Sequence, residues 1–303
     1  MPERPPAPGA QSAGEDELRA LLGRSAATRA LAGGALSRIE GGLSNRAWRV
    51  DAGGEAWFAR LGHPDAAQLG VDRASECVLL RAVAAAGLAP ELLACEPAAG
   101  LLVTRFVEGR AWQTADVRVE ANLRRVAAQV RRLHSLPVPV GVAEVSYARQ
   151  ARHLAAGLPA PTADERRLLA RGEQTFALFD GGERASALCH HDLHHLNLLD
   201  DGRLWLVDWE YGGRGDPLFD VAGFLALHEL GPEPTATFVE AYGGLAPADA
   251  GLLGAARWAF DFVQWLWYRR RFPAGAGLGE GPAGCLAQRL LHCDNPSIAG
   301  EHG

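Results

Sequence analysis

The stretch from Cys189 to Asp220, CHHDLHHLNLLDDGRLWLVDWEYGGRGDPLFD, limits what this chain can become more than any other. It holds His190, Asp192 and Asn197 as H-x-D-x-x-x-x-N, with Asp208 further on. Leu198–Leu199 is apolar, Asp200-Asp201-Gly202 carries turn chemistry, and Leu204–Val207 is apolar and β-prone, which predicts a hairpin. A hairpin returns the chain to its start, so Asn197 entering and Asp208 leaving are expected side by side, with Asp192 on the loop before them. A carboxylate and a carboxamide oxygen converging on one point are hard ligands, suited to Mg²⁺ that holds phosphate oxygens. With a further Asp to orient an attacking hydroxyl, the set is suited to phosphoryl transfer.

Charge and composition exclude several other classes. A net charge of -6 carries no basic footprint for nucleic acid or an anionic membrane. No apolar run approaches a membrane span, and MPERPPAPGAQSAGEDE lacks the apolar core of a signal peptide, so the expected setting is cytoplasmic. All 30 basic residues are arginine. Without lysine there is no Walker-type loop and no lysine Schiff base, and any phosphate-binding cation must be arginine. Cys77, Cys95, Cys189, Cys285 and Cys293 are odd in number, widely spaced and lack C-x-x-C. They are expected to be buried thiols in a reducing compartment.

Residues 1 to about 14 are rich in Pro, Ala and Gly and are expected to be a disordered tail. A helical pattern at Glu15–Gly23 precedes a strand ending near Ile39, a turn through Gly41-Gly42-Leu43-Ser44-Asn45, and strands at Arg46–Asp51 and Ala56–Leu61 around Gly53-Gly54. Backbone amides of such a glycine turn can approach phosphate oxygens, although a plain hairpin turn needs no ligand. Arg60, on the third strand, is either a phosphate-binding cation or an edge arginine reaching solvent. A helix over Asp72–Ala86, capped by Asp72, carries Glu76, which either fixes Arg60 or is solvated. A hairpin over Glu91–Phe106 ends the strand-rich part, and the boundary is placed near Glu108. Beyond it the patterns predict helices at Glu120–Leu136, from the capping box Thr162–Glu165 to Gly181-Gly182, Asp216–Leu230, Thr235–Tyr242, Pro247–Arg271 and Cys285–His292. His134 reads as a packed or capping histidine.

With these motifs in hand, residues 35–270 resemble the aminoglycoside phosphotransferase, choline kinase and thiamine kinase group of small-molecule kinases. The resemblance rests on Gly41–Asn45, Arg60, Glu76, the hinge-like Leu102–Gly109, His190-x-Asp192-x4-Asn197, Asp208-Trp209-Glu210, Gly215-Asp216-Pro217 and Asp220. It implies a two-lobed, protein-kinase-like α+β fold: a small antiparallel-sheet lobe over residues 15–108 that binds nucleotide, and a larger helical lobe over 109–303. It implies ATP and Mg²⁺ as cofactors, with Asp192 as the base and Asn197 and Asp208 as metal ligands. It further implies Arg60 on the phosphates, Glu76 holding Arg60, Gly41, Gly42, Leu43, Ser44 and Asn45 covering the nucleotide, and adenine bonded to backbone near Arg105 and Val107. His190 and Asp220 would buttress the catalytic loop.

The acceptor is expected to be a small-molecule hydroxyl, with no nucleic acid and no membrane as partner. Trp258, Asp261, Phe262 and Trp265 share one face of the long helix, with Trp267 and Tyr268 beside them. Aromatic faces with an acid suit a quaternary ammonium such as choline, or the thiazolium of thiamine, while the plainer reading is a packed core stripe. Glu210 and Asp216 are further candidates to hold a cationic substrate. An aminoglycoside or other antibiotic kinase is the alternative within the class, and a nucleotide-binding module without turnover is the alternative outside it. A zinc site at His190, His191, His194 and His195 is disfavoured, because adjacent histidines point apart and no closing ligand set accompanies them.

Overall fold

The computed structural model describes residues 8–40, 45–63, 66–159, 161–180, 184–272 and 281–292. The chain divides into two compact units, one of Met1–Arg110 with Leu199–Glu210, the other of Ala111–Leu198 with Tyr211–Gly303. The linear boundary expected near Glu108 misses the second segment of the first unit. Residues 8–14, expected as tail, begin helix α1 (Pro8–Arg24).

The first unit is built on an antiparallel sheet of β1 (Ala35–Ile39), β2 (Arg46–Ala52), β3 (Glu55–Leu61), β4 (Leu92–Glu96) and β5 (Leu101–Arg105) in the order β1-β2-β3-β5-β4. Alternation sends Trp48, Val50, Trp57, Ala59, Leu61, Leu101 and Val103 to one side, where Leu18, Leu21 and Leu22 of α1 cover them. Arg60 is in register with Ala47 and Leu102. The β2–β3 turn needs positive φ at both central positions, and Gly53 and Gly54 supply 63° and 81°.

Helix α2 (Arg73–Ala85) starts where Asp72 accepts from the amides of Ala74 and Ser75, both at 3.0 Å. A disulfide joins Cys77 of α2 to Cys95 of β4 across a Cα–Cα distance of 5.7 Å. This corrects the expectation of buried thiols: a helix and an edge strand bring together cysteines whose spacing carries no signal. Cys189 is a buried thiol, Cys285 is exposed, and Cys293 lies outside the described residues. The expected hairpin forms, from β8 (Leu198–Asp200) and β9 (Leu204–Leu206), in a small sheet of order β6-β8-β9 with β6 (Arg110–Ala111). The amide of Leu206 donates to the Leu88 carbonyl at 2.9 Å, tying this returning segment to the end of α2.

The second unit is helical: α3 (Glu120–His134), α4 (Tyr147–Ala156), α5 (Ala163–Ala177), α6 (Leu218–Leu227), α7 (Pro232–Tyr242), α8 (Pro247–Arg271) and α9 (Gly281–His292), with β7 (Ala187–Cys189) paired to β10 (Gly213–Gly215). Its core gathers around α8, where Ala256, Ala259, Phe260, Val263 and Leu266 meet Phe219 and Ala222 of α6. Gly223 lets α6 approach, since a Cβ there would stand 2.6 Å from the Phe260 ring. Thr162 and Glu165 close a capping box at α5. Helix α4, started by the Ser146 hydroxyl, has no counterpart among the sequence expectations.

Candidate active site

In the first unit the site is a buried charge cluster. Arg60 is 4% exposed and Glu76 1% exposed. The Arg60 Nη2 donates to both oxygens of Glu76 at 2.7 Å, and its Nη1 donates to Asp208 Oδ1 at 3.3 Å. A single nitrogen thus meets both oxygens of the carboxylate, and burial makes losing either partner costly. Arg60 is therefore held by Glu76, not an edge arginine in solvent. Asp208 adopts φ 62°, a left-handed conformation uncommon outside glycine. Its carboxyl is pushed up to about 7, by burial and then by the Glu210 carboxylate, against the pull of Arg60. Its side chain is 40% exposed, so solvent tempers that upward shift. Three carboxylates, Glu76, Asp208 and Glu210, share two guanidiniums, Arg60 and Arg73. Of the three only Asp208 is well exposed, and its carboxylate oxygens suit a divalent cation such as Mg²⁺.

Glu210 was expected on a substrate cation, and the structure corrects this. It is 6% exposed, accepts from Arg73 Nη1 at 3.0 Å and from Asn45 Nδ2 at 2.8 Å, and so belongs to the internal cluster. Gly41, Gly42, Leu43 and Ser44 lie outside the described residues. Arg105 donates its amide to the Glu91 carbonyl at 2.8 Å, and its guanidinium pairs with Glu55 over Trp57. Its N–H is thus engaged in the sheet edge, and Val107 lies two residues beyond the end of β5.

In the second unit the H-x-D-x-x-x-x-N loop leaves β7 and is folded around Asp220, at the start of α6. The amides of His190 and His191 donate to the two Asp220 oxygens at 2.8 and 2.7 Å, and His134 Nε2 lies 3.0 Å away. Burial alone would raise this carboxyl. The His134 hydrogen bond, the neighbouring histidines and the backbone amide outweigh it and hold the group well below the ordinary carboxylate range. His134 is packed as expected, its Nδ1 2.8 Å from the Tyr242 hydroxyl. His190 is fully buried and its Nδ1 accepts from the Asp192 amide at 3.3 Å. His191 takes φ 63°, and a Cβ on Gly215 would stand 2.6 Å from its ring. Asn197 Nδ2 donates to the Asp192 carbonyl at 2.9 Å and to Asp192 Oδ2 at 3.1 Å. The amide end of Asn197 thus orients Asp192, leaving its carbonyl oxygen as the acceptor end. Asn197 belongs to the second unit and Asp208 to the first.

The aromatic stripe is core. Trp258 and Trp265 are 4% and 1% exposed; Trp258 stacks on Phe262 and donates to the Leu290 carbonyl at 3.3 Å. Asp261 is paired with Arg289 of α9 at 2.7 Å. None of the three faces a substrate, which corrects that expectation in favour of its plainer alternative. Asp216, also expected on substrate, accepts from Arg184 at 2.7 Å and caps the Leu218 amide at 2.9 Å. At the end of α8, however, Trp267, Tyr268 and Phe272 form a second aromatic group, with ring centroids 5.2 to 6.4 Å apart. Trp267 Nε1 donates to the Tyr211 hydroxyl at 2.9 Å, and the Tyr268 hydroxyl is raised by burial and by the Asp192 carboxylate. Arg73 and Tyr211 are the residues that motif reading passed over. Tyr211 could have been found as the aromatic directly after Asp208-Trp209-Glu210, and Arg73 as a cation three residues before Glu76.

A family model described as the phosphotransferase enzyme family matches residues 35–258. The chain is similar to a solved choline/ethanolamine kinase family protein from Mesorhizobium loti, with 25% identity, TM-score 0.75, and 91% of this chain and 93% of that one covered. It shares the fold of the choline kinase LicA from Streptococcus pneumoniae, with 18% identity, TM-score 0.73, and 93% and 98% of the two chains covered. A stretch of 55 residues is 46% identical to Protein LicA of Haemophilus influenzae, covering 18% of this chain and 21% of that protein. The chain thus spans about a fifth of the length of that curated relative. No helix among the described residues is long and apolar enough to cross a membrane.

Proposed function

Because the chain belongs to the phosphotransferase enzyme family, we propose that it moves the γ-phosphoryl group of ATP to the hydroxyl of choline or ethanolamine in the cytoplasm. The observation that carries the reading is Asp192, whose Oδ2 is fixed by Asn197 at 3.1 Å in a loop anchored on Asp220. A carboxylate so held accepts the hydroxyl proton as the oxygen attacks phosphorus. Arg60, itself fixed by Glu76, offsets charge on the phosphates. Asp208 of the first unit and the carbonyl oxygen of Asn197 of the second would each suit Mg²⁺, which when bound would offset charge on phosphate oxygens. Positioning and electrostatics supply most of the rate, because the transition state is loose.

The end of α8 supports this acceptor class. Trp267, Tyr268, Phe272 and Tyr211 offer aromatic faces, and Asp192 is near enough to Tyr268 to shift its hydroxyl. Aromatic faces beside a carboxylate attract an ammonium group. The similar proteins described as choline or ethanolamine kinases favour the same acceptors.

The test is ADP release with Mg-ATP over choline, ethanolamine, thiamine and an aminoglycoside, for the native protein and Asp192→Ala. Turnover is expected with choline or ethanolamine, and the variant should lose about 10²–10⁴-fold in kcat while still binding nucleotide. Undiminished transfer by the variant would remove Asp192 from its role. Turnover with the aminoglycoside alone would replace the acceptor.

A further inference from the structure

Arg73 occupies the first position of α2, where the helix dipole disfavours a cation. Helix stability therefore does not account for it. Its guanidinium is directed inward, with the side chain 13% exposed. Nη1 meets Glu76 Oε2 at 2.8 Å and Glu210 Oε2 at 3.0 Å, while Nη2 donates to Asn45 Oδ1 at 3.0 Å. Asn45 in turn donates its Nδ2 to the same Glu210 oxygen at 2.8 Å. The His63 amide also donates to Asn45 Oδ1, at 3.3 Å, so the carboxamide is held at both ends and cannot flip without breaking three hydrogen bonds. Gly62, at the end of β3, leaves the space this requires, since a Cβ there would stand 3.0 Å from the Arg73 Nε and Nη2.

We propose that Arg73 is a positioning residue for nucleotide binding: one guanidinium fastens Asn45 to Glu210 and shares Glu76 with Arg60. The inference rests on the phosphotransferase reading above and adds a residue to it. Arg73 acts through its neighbours. It holds Glu210, and it holds Oε2 of Glu76, the carboxylate that orients Arg60. A lysine cannot replace it. An ammonium is a point charge without the planar fork, and here the fork must reach two carboxylates and a carboxamide at once.

The experiment compares the native protein with Arg73→Gln, Arg73→Lys, Asn45→Ala and the double variant Asn45→Ala/Arg73→Gln. Nucleotide affinity is measured by calorimetry with ADP and Mg²⁺ in the absence of acceptor, followed by KM for ATP and for acceptor, kcat and Tm. Removing charge-assisted hydrogen bonds should weaken ADP binding and raise KM for ATP by about tenfold in both Arg73 variants, with acceptor KM changed by less than about twofold. The double variant should bind ADP no more weakly than the weaker single variant, because both substitutions open one network. Native-like ADP affinity in Arg73→Gln would overturn the proposal, as would additive losses in the double variant. So would a fall in Tm that leaves ADP affinity unchanged. Should Arg73→Gln fail to fold, Arg73→Lys keeps the charge and most of the bulk, and its ADP affinity decides alone. A native protein that binds no nucleotide would instead remove the phosphotransferase reading, and this inference with it.

Discussion

Asp220 and Glu210 show what residue spacing can and cannot disclose. Asp220 stands at the start of a helix and accepts amides from His190 and His191, a buttress that the wording of the motif implied. Glu210 is two residues from Asp208, which discloses nearness but not direction, and its side chain turns to Arg73 and Asn45 instead of outward. The Trp258, Asp261 and Trp265 stripe fails in the same way: a shared helix face is legible at i, i+3, i+4 and i+7, but which neighbour covers it is a tertiary fact. For Asp220 the consequence is measurable. Its carboxyl is held below its ordinary value, so its stabilisation is present above the unfolded pKa of about 3.9 and is lost as pH falls through and below that value. Asp220→Ala leaves two buried amides and His134 without their acceptor, and should cost about 3–5 kcal/mol at pH 7. Urea unfolding of both proteins from pH 7 to pH 3 should show the difference narrowing towards acid. A gap independent of pH would mean that packing, not charge, sets it.

At the scale of elements, amphipathic periods and caps were legible, and partners were not. The capping box placed α5, Asp72 placed α2, and the Pro247–Arg271 pattern became α8 over the same span. The Cys77–Cys95 bridge left no trace in the sequence, because neither C-x-x-C spacing nor an even count announces a link between a helix and a strand of another hairpin. In the fold it tethers α2, the helix that carries Glu76 and Arg73, to β4. A closed loop with a sequence separation of 18 residues should contribute about 3 kcal/mol by restricting the unfolded chain. Urea midpoints are therefore expected to fall on adding reductant, and to fall equally in Cys77→Ser/Cys95→Ser, which should then ignore reductant. A native midpoint indifferent to reductant would show that the pair is not bridged in solution.

At the scale of the whole molecule, the first unit is assembled from two separate segments, and this was the least legible feature of the chain. A change from strand to helix composition near Glu108 suggests one cut, yet Leu199–Glu210 returns to the first unit. The physical reason is the charge cluster. Arg60 is buried and Arg73 largely so, both paired with Glu76, and Asp208 and Glu210 from the returning segment complete their compensation. The backbone follows the same logic, since Leu88 receives its amide partner from Leu206. A fragment of residues 1–110 would keep the five-stranded sheet, α1 and α2, and would leave two guanidiniums facing one carboxylate with water entering between them. Uncompensated buried charge is destabilising by several kcal/mol. That fragment is expected to unfold at a much lower urea concentration than a fusion in which a Gly/Ser linker joins Arg110 to the 199–210 segment. Placing Asp208→Asn/Glu210→Gln in the fusion should return its midpoint towards that of the fragment, because the segment then brings its backbone but not its charge. If the fragment alone matched the fusion, the returning segment would be a passenger on the sheet, and the carboxylates would serve only the chemistry.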